Sequence, residues 1–179
     1  MKDGTILLMK QPKDAPWYEQ IIGRTIIFLT QSPFVHTLIY LNGYTYDWNM
    51  KKENGKWYSG VIKTKGIRKP YDTALEPNFN LTKKQIKKME EYFEEASLKR
   101  YPYNVARLII LAIVYPTRWF WNLINWVPFS KVDKGEVCSS GIDEAFEYAG
   151  IDLIPNSEEE LTVPGDFFKL VENGEFKEI

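Results

Sequence analysis

Between Gly4 and Lys10, and again between Thr25 and Leu29, apolar residues come in short runs of the kind that strands use. Gln11-Pro12 closes the first run, and Trp17 to Gly23, bounded by Pro16 and a glycine, reads as a short helix or loop. Pro33 keeps Ser32 extended and leads into Phe34-Val-His-Thr-Leu-Ile-Tyr-Leu41, a predicted strand. Asn42-Gly43 and the run Tyr44 to Met50 follow, and Asn-Gly between two such runs is a strong hairpin signal. The second hairpin strand ends near Asn54-Gly55, after which Lys56 to Lys63 reads as a third strand. Gly66 to Asn80 has turn chemistry without a clean period and reads as an irregular crossover.

The period then changes. Thr82-Lys-Lys-Gln85 fits a capping box, and Ile86, Met89, Phe93 and Ala96 fall on one face of a helix predicted to run to about Lys99. Its Lys and Glu face belongs in water. Val105 to Val114 reads as a buried helix, kinked or broken at Pro116. Thr117 to Pro128 concentrates Trp119, Trp121 and Trp126 beside Arg118, a composition suited to an interface or to a groove for an acyl chain. Lys131 to Glu136 is a polar loop. From Cys138, the residues Ile142, Ala145, Phe146 and Ala149 repeat at helical spacing up to a stop at Gly150. Asn156 to Glu160 is an acidic surface loop, Pro164 to Val171 a short edge element, and Asn173-Gly174 a turn into the tail. The predicted class is α+β, an antiparallel sheet packed against helices.

Composition narrows the picture. With 179 residues, 44% of them hydrophobic, the chain can bury one substantial core, and a single domain over residues 1–179 is expected. A net charge of -1 with both signs interspersed gives no general pull toward nucleic acid. The hydrophobic run at the N-terminus is too short for a signal peptide, and a single cysteine suits a reducing compartment, so a cytoplasmic location is expected, with export by another route left open. Val105 to Val114 is well short of the roughly 20 residues that a membrane span needs.

The chain has one Cys and one His, Cys138 and His36. A free thiol often serves as a small hydrophobe, and a lone His in an apolar strand is often a hydrogen-bonded structural residue. Together they suggest chemistry, because a thiol nucleophile needs a base whose pKa lies near neutrality. A thiol in the first turn of a helix also meets unpaired N–H groups and the positive end of the helix dipole. With Asn42 and Gly43 as the loop, Leu41 faces Tyr44, Leu38 faces Asp47 and His36 faces Asn49. His36, Asp47 and Asn49 then share a sheet face, and either Asp47 or Asn49 is a candidate orienter of the imidazole. A lone His and a lone Cys are too few for a zinc site, and there is no phosphate-binding glycine loop, so no cofactor is expected.

The order of these residues resembles the permuted branch of the NlpC superfamily of papain-like cysteine hydrolases, the YiiX-like group. Gly4-Thr-Ile-Leu-Leu8 is similar to that family's opening "GD-I-L" strand, with Thr5 where Asp is usual. Thr30 to Tyr40 resembles its "S-x-x-S-H-V-G-I-Y" segment, with Val35 and Thr37 replacing smaller residues beside the histidine. Tyr101-Pro-Tyr-Asn104 resembles "P-Y-D", Val137-Cys-Ser-Ser140 the "C-S-E" nucleophile motif with Ser140 in place of Glu, and Val163 to Phe167 the late "P-G-D-L".

The resemblance implies a circularly permuted papain-like domain with Cys138 as nucleophile, His36 as base and Asp47 as orienter. It implies an acyl-enzyme on Cys138 and cleavage of an amide or ester in a peptide, a cell-wall peptide or a lipid acyl substrate. The Cys138 backbone N–H supplies one oxyanion donor; Asn49 and the phenols of Tyr103 or Tyr101 are candidates for further support. Trp119, Trp121 and Trp126 are the candidate substrate groove, and residues 117–128 a candidate peripheral membrane contact. The alternatives are an acyltransferase acting on lipids, or a papain-like binding module without turnover.

Overall fold

The computed structural model describes residues 1–15, 17–30, 32–53, 56–67, 70–98, 101–102, 138–154 and 162–179. The expectations for Tyr103, for the helix at 105–114, for Trp119, Trp121 and Trp126, and for the loops at 131–136 and 156–160 lie outside the described residues. Strands β1 (Thr5–Lys10), β2 (Phe34–Leu41), β3 (Tyr44–Glu53), β4 (Lys56–Lys65), β5 (Thr73–Pro77), β6 (Tyr101–Pro102) and β7 (Phe176–Glu178) form one sheet in the order β6-β4-β3-β2-β1-β5-β7. Every pairing in it is antiparallel. Four helices accompany the sheet among the described residues: α1 (Trp17–Thr30), α2 (Lys83–Leu98), α3 (Cys138–Tyr148) and α4 (Phe167–Glu172). None of them is long and apolar enough to cross a membrane. The α+β class is therefore as expected.

The hairpin register is set at its turn. Asn42 and Gly43 both take positive φ, 48° and 81°, as a two-residue type I′ turn requires. Leu41 pairs with Tyr44, and the count runs back to Leu38 opposite Asp47. There the β2–β3 ladder stops: β3 stays with β4 as far as Glu53, while β2 stays with β1, where Met9 pairs with His36. His36 is therefore not directly opposite Asn49 as the extrapolated count required. Beyond His36, Lys10 pairs with Phe34, so Val35 is an extra residue in β2. Such a bulge reverses the alternation of side chains and puts Phe34 in the same core as Ile39 and Leu41.

That main core lies between one sheet face and the helices. Ile6, Leu8, Ile39, Leu41, Tyr46 and Trp48 meet Met89 and Phe93 of α2 and Ile142, Ala145 and Phe146 of α3. Leu7, Leu38 and Ala74 form a smaller cluster, as neighbouring residues of each strand must when they point to the opposite face. The capping box forms as predicted: Gln85 N–H donates to Thr82 Oγ1 at 3.2 Å, and Thr82 N–H to Gln85 Oε1 at 2.9 Å. At the end of α3, Ile151 N–H reaches Phe146 O and Gly150 adopts φ 82°, the stop foreseen at that glycine.

Three local expectations are corrected. Trp17–Thr30 is one continuous helix, not a short helix followed by a strand; the Gln11 side chain fills the space where a Cβ on Gly23 would stand, and Phe28 is 80% exposed. A five-residue apolar run cannot by itself distinguish the two states. The supposed crossover contains β5, which lies between β1 and β7 and buries Ala74 and Leu75 on opposite faces. Pro164 opens a 3₁₀ turn, Pro164–Asp166, that leads into α4, and the edge strand comes later, as β7. Proline's fixed φ suits a first helical position, and Asp166 Oδ2 accepts the Val163 N–H at 3.1 Å.

Candidate active site

His36 reaches the site from β2 and Asp47 from β3, and the two share the sheet face that carries Leu38. His36 Nε2 lies 2.6 Å from Asp47 Oδ1. A carboxylate only accepts, so Nε2 carries the proton and donates, which leaves Nδ1 as the nitrogen able to take one up. The Asp47 side chain has no exposed surface, whereas the imidazole is 21% exposed, so the acid is sealed behind a ring that still meets solvent. Asn49 Nδ2 donates to the other oxygen, Asp47 Oδ2, at 3.4 Å. Asn49 thus bears on the acid.

Cys138 opens α3 and is half-buried against the main core. The imidazole is within hydrogen-bonding reach of the thiol. Burial pushes the Cys138 thiol up, but the charge and hydrogen bonding of His36, joined by the Thr37 backbone N–H and hydroxyl, outweigh it and bring the thiol down to about 7. The three residues singled out as nucleophile, base and orienter are thus neighbours.

The start of α3 is held from below. Ser139 Oγ donates to Thr162 O, and Thr162 Oγ1 donates to Asp143 Oδ2 at 2.6 Å, all within buried surroundings. Burial, together with the charges of Asp152, Asp166 and Glu147, raises the Asp143 carboxyl to about 6 against the lowering effect of the Thr162 bond. The turn after Thr162 presses on the start of β2: a Cβ on Gly165 would stand 2.8 Å from Ser32 Cβ, and Phe34 stacks on Phe168 at 5.4 Å. Ser140 is fully buried in the first turn.

Sequence reasoning missed Thr37 as a neighbour of the thiol, and it missed the Ser139, Asp143 and Thr162 link. The only signal for the link is that Ser139 and Asp143 stand four apart on one helix face; nothing in the sequence points to Thr162. Among the described residues, no group of three or more His, Cys, Asp or Glu is placed to hold a metal ion.

No family model and no curated protein matches this sequence. Among solved structures, the chain is similar to the crystal structure of metalloprotein yiiX from Escherichia coli O157:H7. The identity is 14% and the TM-score 0.41, over 96% of this chain and 81% of that one.

Proposed function

We propose that the protein is a cysteine-dependent acyl hydrolase of the permuted papain-like type, acting on an amide or ester. The observation that carries this reading is the meeting of the chain's one thiol and its one imidazole, with Asp47 2.6 Å behind the ring. His36 Nδ1 takes the Cys138 proton, and the thiolate attacks the substrate carbonyl carbon to form a C–S bond. As the tetrahedral adduct collapses, the C–N or C–O bond breaks and His36 returns the proton to the departing amine or alcohol. Water, losing a proton to the same ring, then attacks the thioester; the acid leaves and the thiol–imidazole pair is restored. Asp47 holds the ring in the required tautomer throughout.

The test is turnover of a chromogenic acyl ester by the full chain, compared with Cys138→Ala and His36→Ala. Both variants are expected to lose activity by at least ~10³-fold, as removal of a nucleophile or its base does elsewhere. Turnover persisting in Cys138→Ala would overturn the reading, and an inert wild type against ester and amide panels would favour a binding module.

A further inference from the structure

Thr37 has no exposed surface, and its hydroxyl is the buried side-chain atom for which, among the described residues, no hydrogen-bond partner is found. A hydroxyl in that state is costly unless something nearby comes to need it. The backbone at the same residue is also unusual. Counting back from the Leu41–Tyr44 pair that closes the turn, Leu41, Ile39 and Thr37 all direct their N–H groups toward β3. The ladder ends at Leu38–Asp47, so at Thr37 that N–H meets no β3 carbonyl. Thr37 also shares its face with Ile39 and Leu41, the face against which Cys138 packs. Side chain and main chain of one residue therefore bear on the same sulfur.

We propose that Thr37 is the thiolate-holding residue of this site, its backbone N–H and hydroxyl donating to the Cys138 sulfur once the proton has moved to His36. The proposal rests on the acyl-hydrolase reading and adds a donor set to it. A neutral thiol is a weak acceptor, whereas a thiolate is a strong one, so donors that are idle before proton transfer are engaged after it. Both fix the direction from which the sulfur can attack. Among the described residues, the titratable group that bears on the sulfur is His36 from β2, with Asp47 from β3 behind it.

The experiment is the pH dependence of alkylation by iodoacetamide, unambiguous because the chain has one cysteine. In the wild type the midpoint is expected near 7. Thr37→Val keeps the volume and removes the hydroxyl; it is expected to raise the midpoint by roughly half to one unit, a three- to tenfold loss of thiolate near neutrality. Thr37→Ser is expected to restore it, and Thr37→Val to melt no lower than the wild type, since the buried hydroxyl is gone. A merely structural threonine would lower the melting temperature and leave the midpoint in place. If Thr37→Val misfolds, Thr37→Ala against Thr37→Ser reads the same difference. A wild-type midpoint near that of a free thiol would sink the hydrolase reading itself. A wild-type midpoint near 7 that is unmoved in Thr37→Val or Thr37→Ala would sink this proposal alone.

Discussion

Among the described residues three aspartates are buried, Asp47, Asp143 and Asp166, and the first two differ in the company they keep. Asp47, at the open end of the hairpin, faces an imidazole; Asp143, inside α3, faces the Thr162 hydroxyl. A ring can carry a positive charge and so balance a carboxylate, whereas a hydroxyl can only donate to one. Asp143 therefore responds to burial by holding its proton to about pH 6. A sealed carboxylate is thus no sign of chemistry in itself. The group on its other side decides, together with whether that group meets solvent.

The contrast breaks most visibly at Asp47. Asp47→Asn keeps the shape but replaces the charge behind the ring, and in a serine-protease triad that exchange costs about 10⁴ in kcat. A loss of roughly 10²–10⁴ in kcat/KM is expected here, with a near-unchanged fold by circular dichroism. If Asp47→Asn turns over like the wild type, the two aspartates are equivalent and the hairpin acid is structural.

Asp143→Asn should do the reverse, sparing turnover and changing stability. The folded carboxyl titrates near 6 and the unfolded one near 3.8, so between these values the folded state binds more protons. Stability then falls as pH rises through that window, by on the order of 3 kcal/mol if this group acted alone. An amide cannot ionise but can still accept from Thr162, so the melting temperature of the variant is expected to gain on the wild type between pH 4 and pH 7. Groups common to both proteins cancel in that difference. A constant gap would show that Asp143 does not carry this linkage. The smallest effect belongs to Asn49→Ala, which removes a 3.4 Å bond to Asp47; about a two- to fivefold drop in kcat is expected, visible in the same ester assay.

What could be read in advance follows the range of the forces involved. Asn42-Gly43 alone sets Leu38 opposite Asp47, and Thr82-Gln85 and Gly150 bound their helices by contacts within a turn. Extrapolating the same register to Asn49 failed because the parting of β2 from β3 depends on β1 and β4, which the hairpin sequence does not contain. β5 was missed for a similar reason: Thr73 to Pro77 is a strand because β1 and β7 flank it. The placement of Thr37 against the sulfur and of Thr162 against Asp143 likewise comes from packing between distant segments.

The two-residue turn also has the effect of a spacer gauge. Because neighbouring strand positions look opposite ways, adding or removing a single amino acid at Asn42-Gly43 without a compensating bulge would rotate the whole of β3 by half a revolution. Trp48 after a removal, or Tyr46 after an addition, would then point where Asp47 now does, and the imidazole would lose its carboxylate partner although every residue of the trio was still present. Loop length at a remote, solvent-facing tip thus determines whether His36 and Asp47 meet.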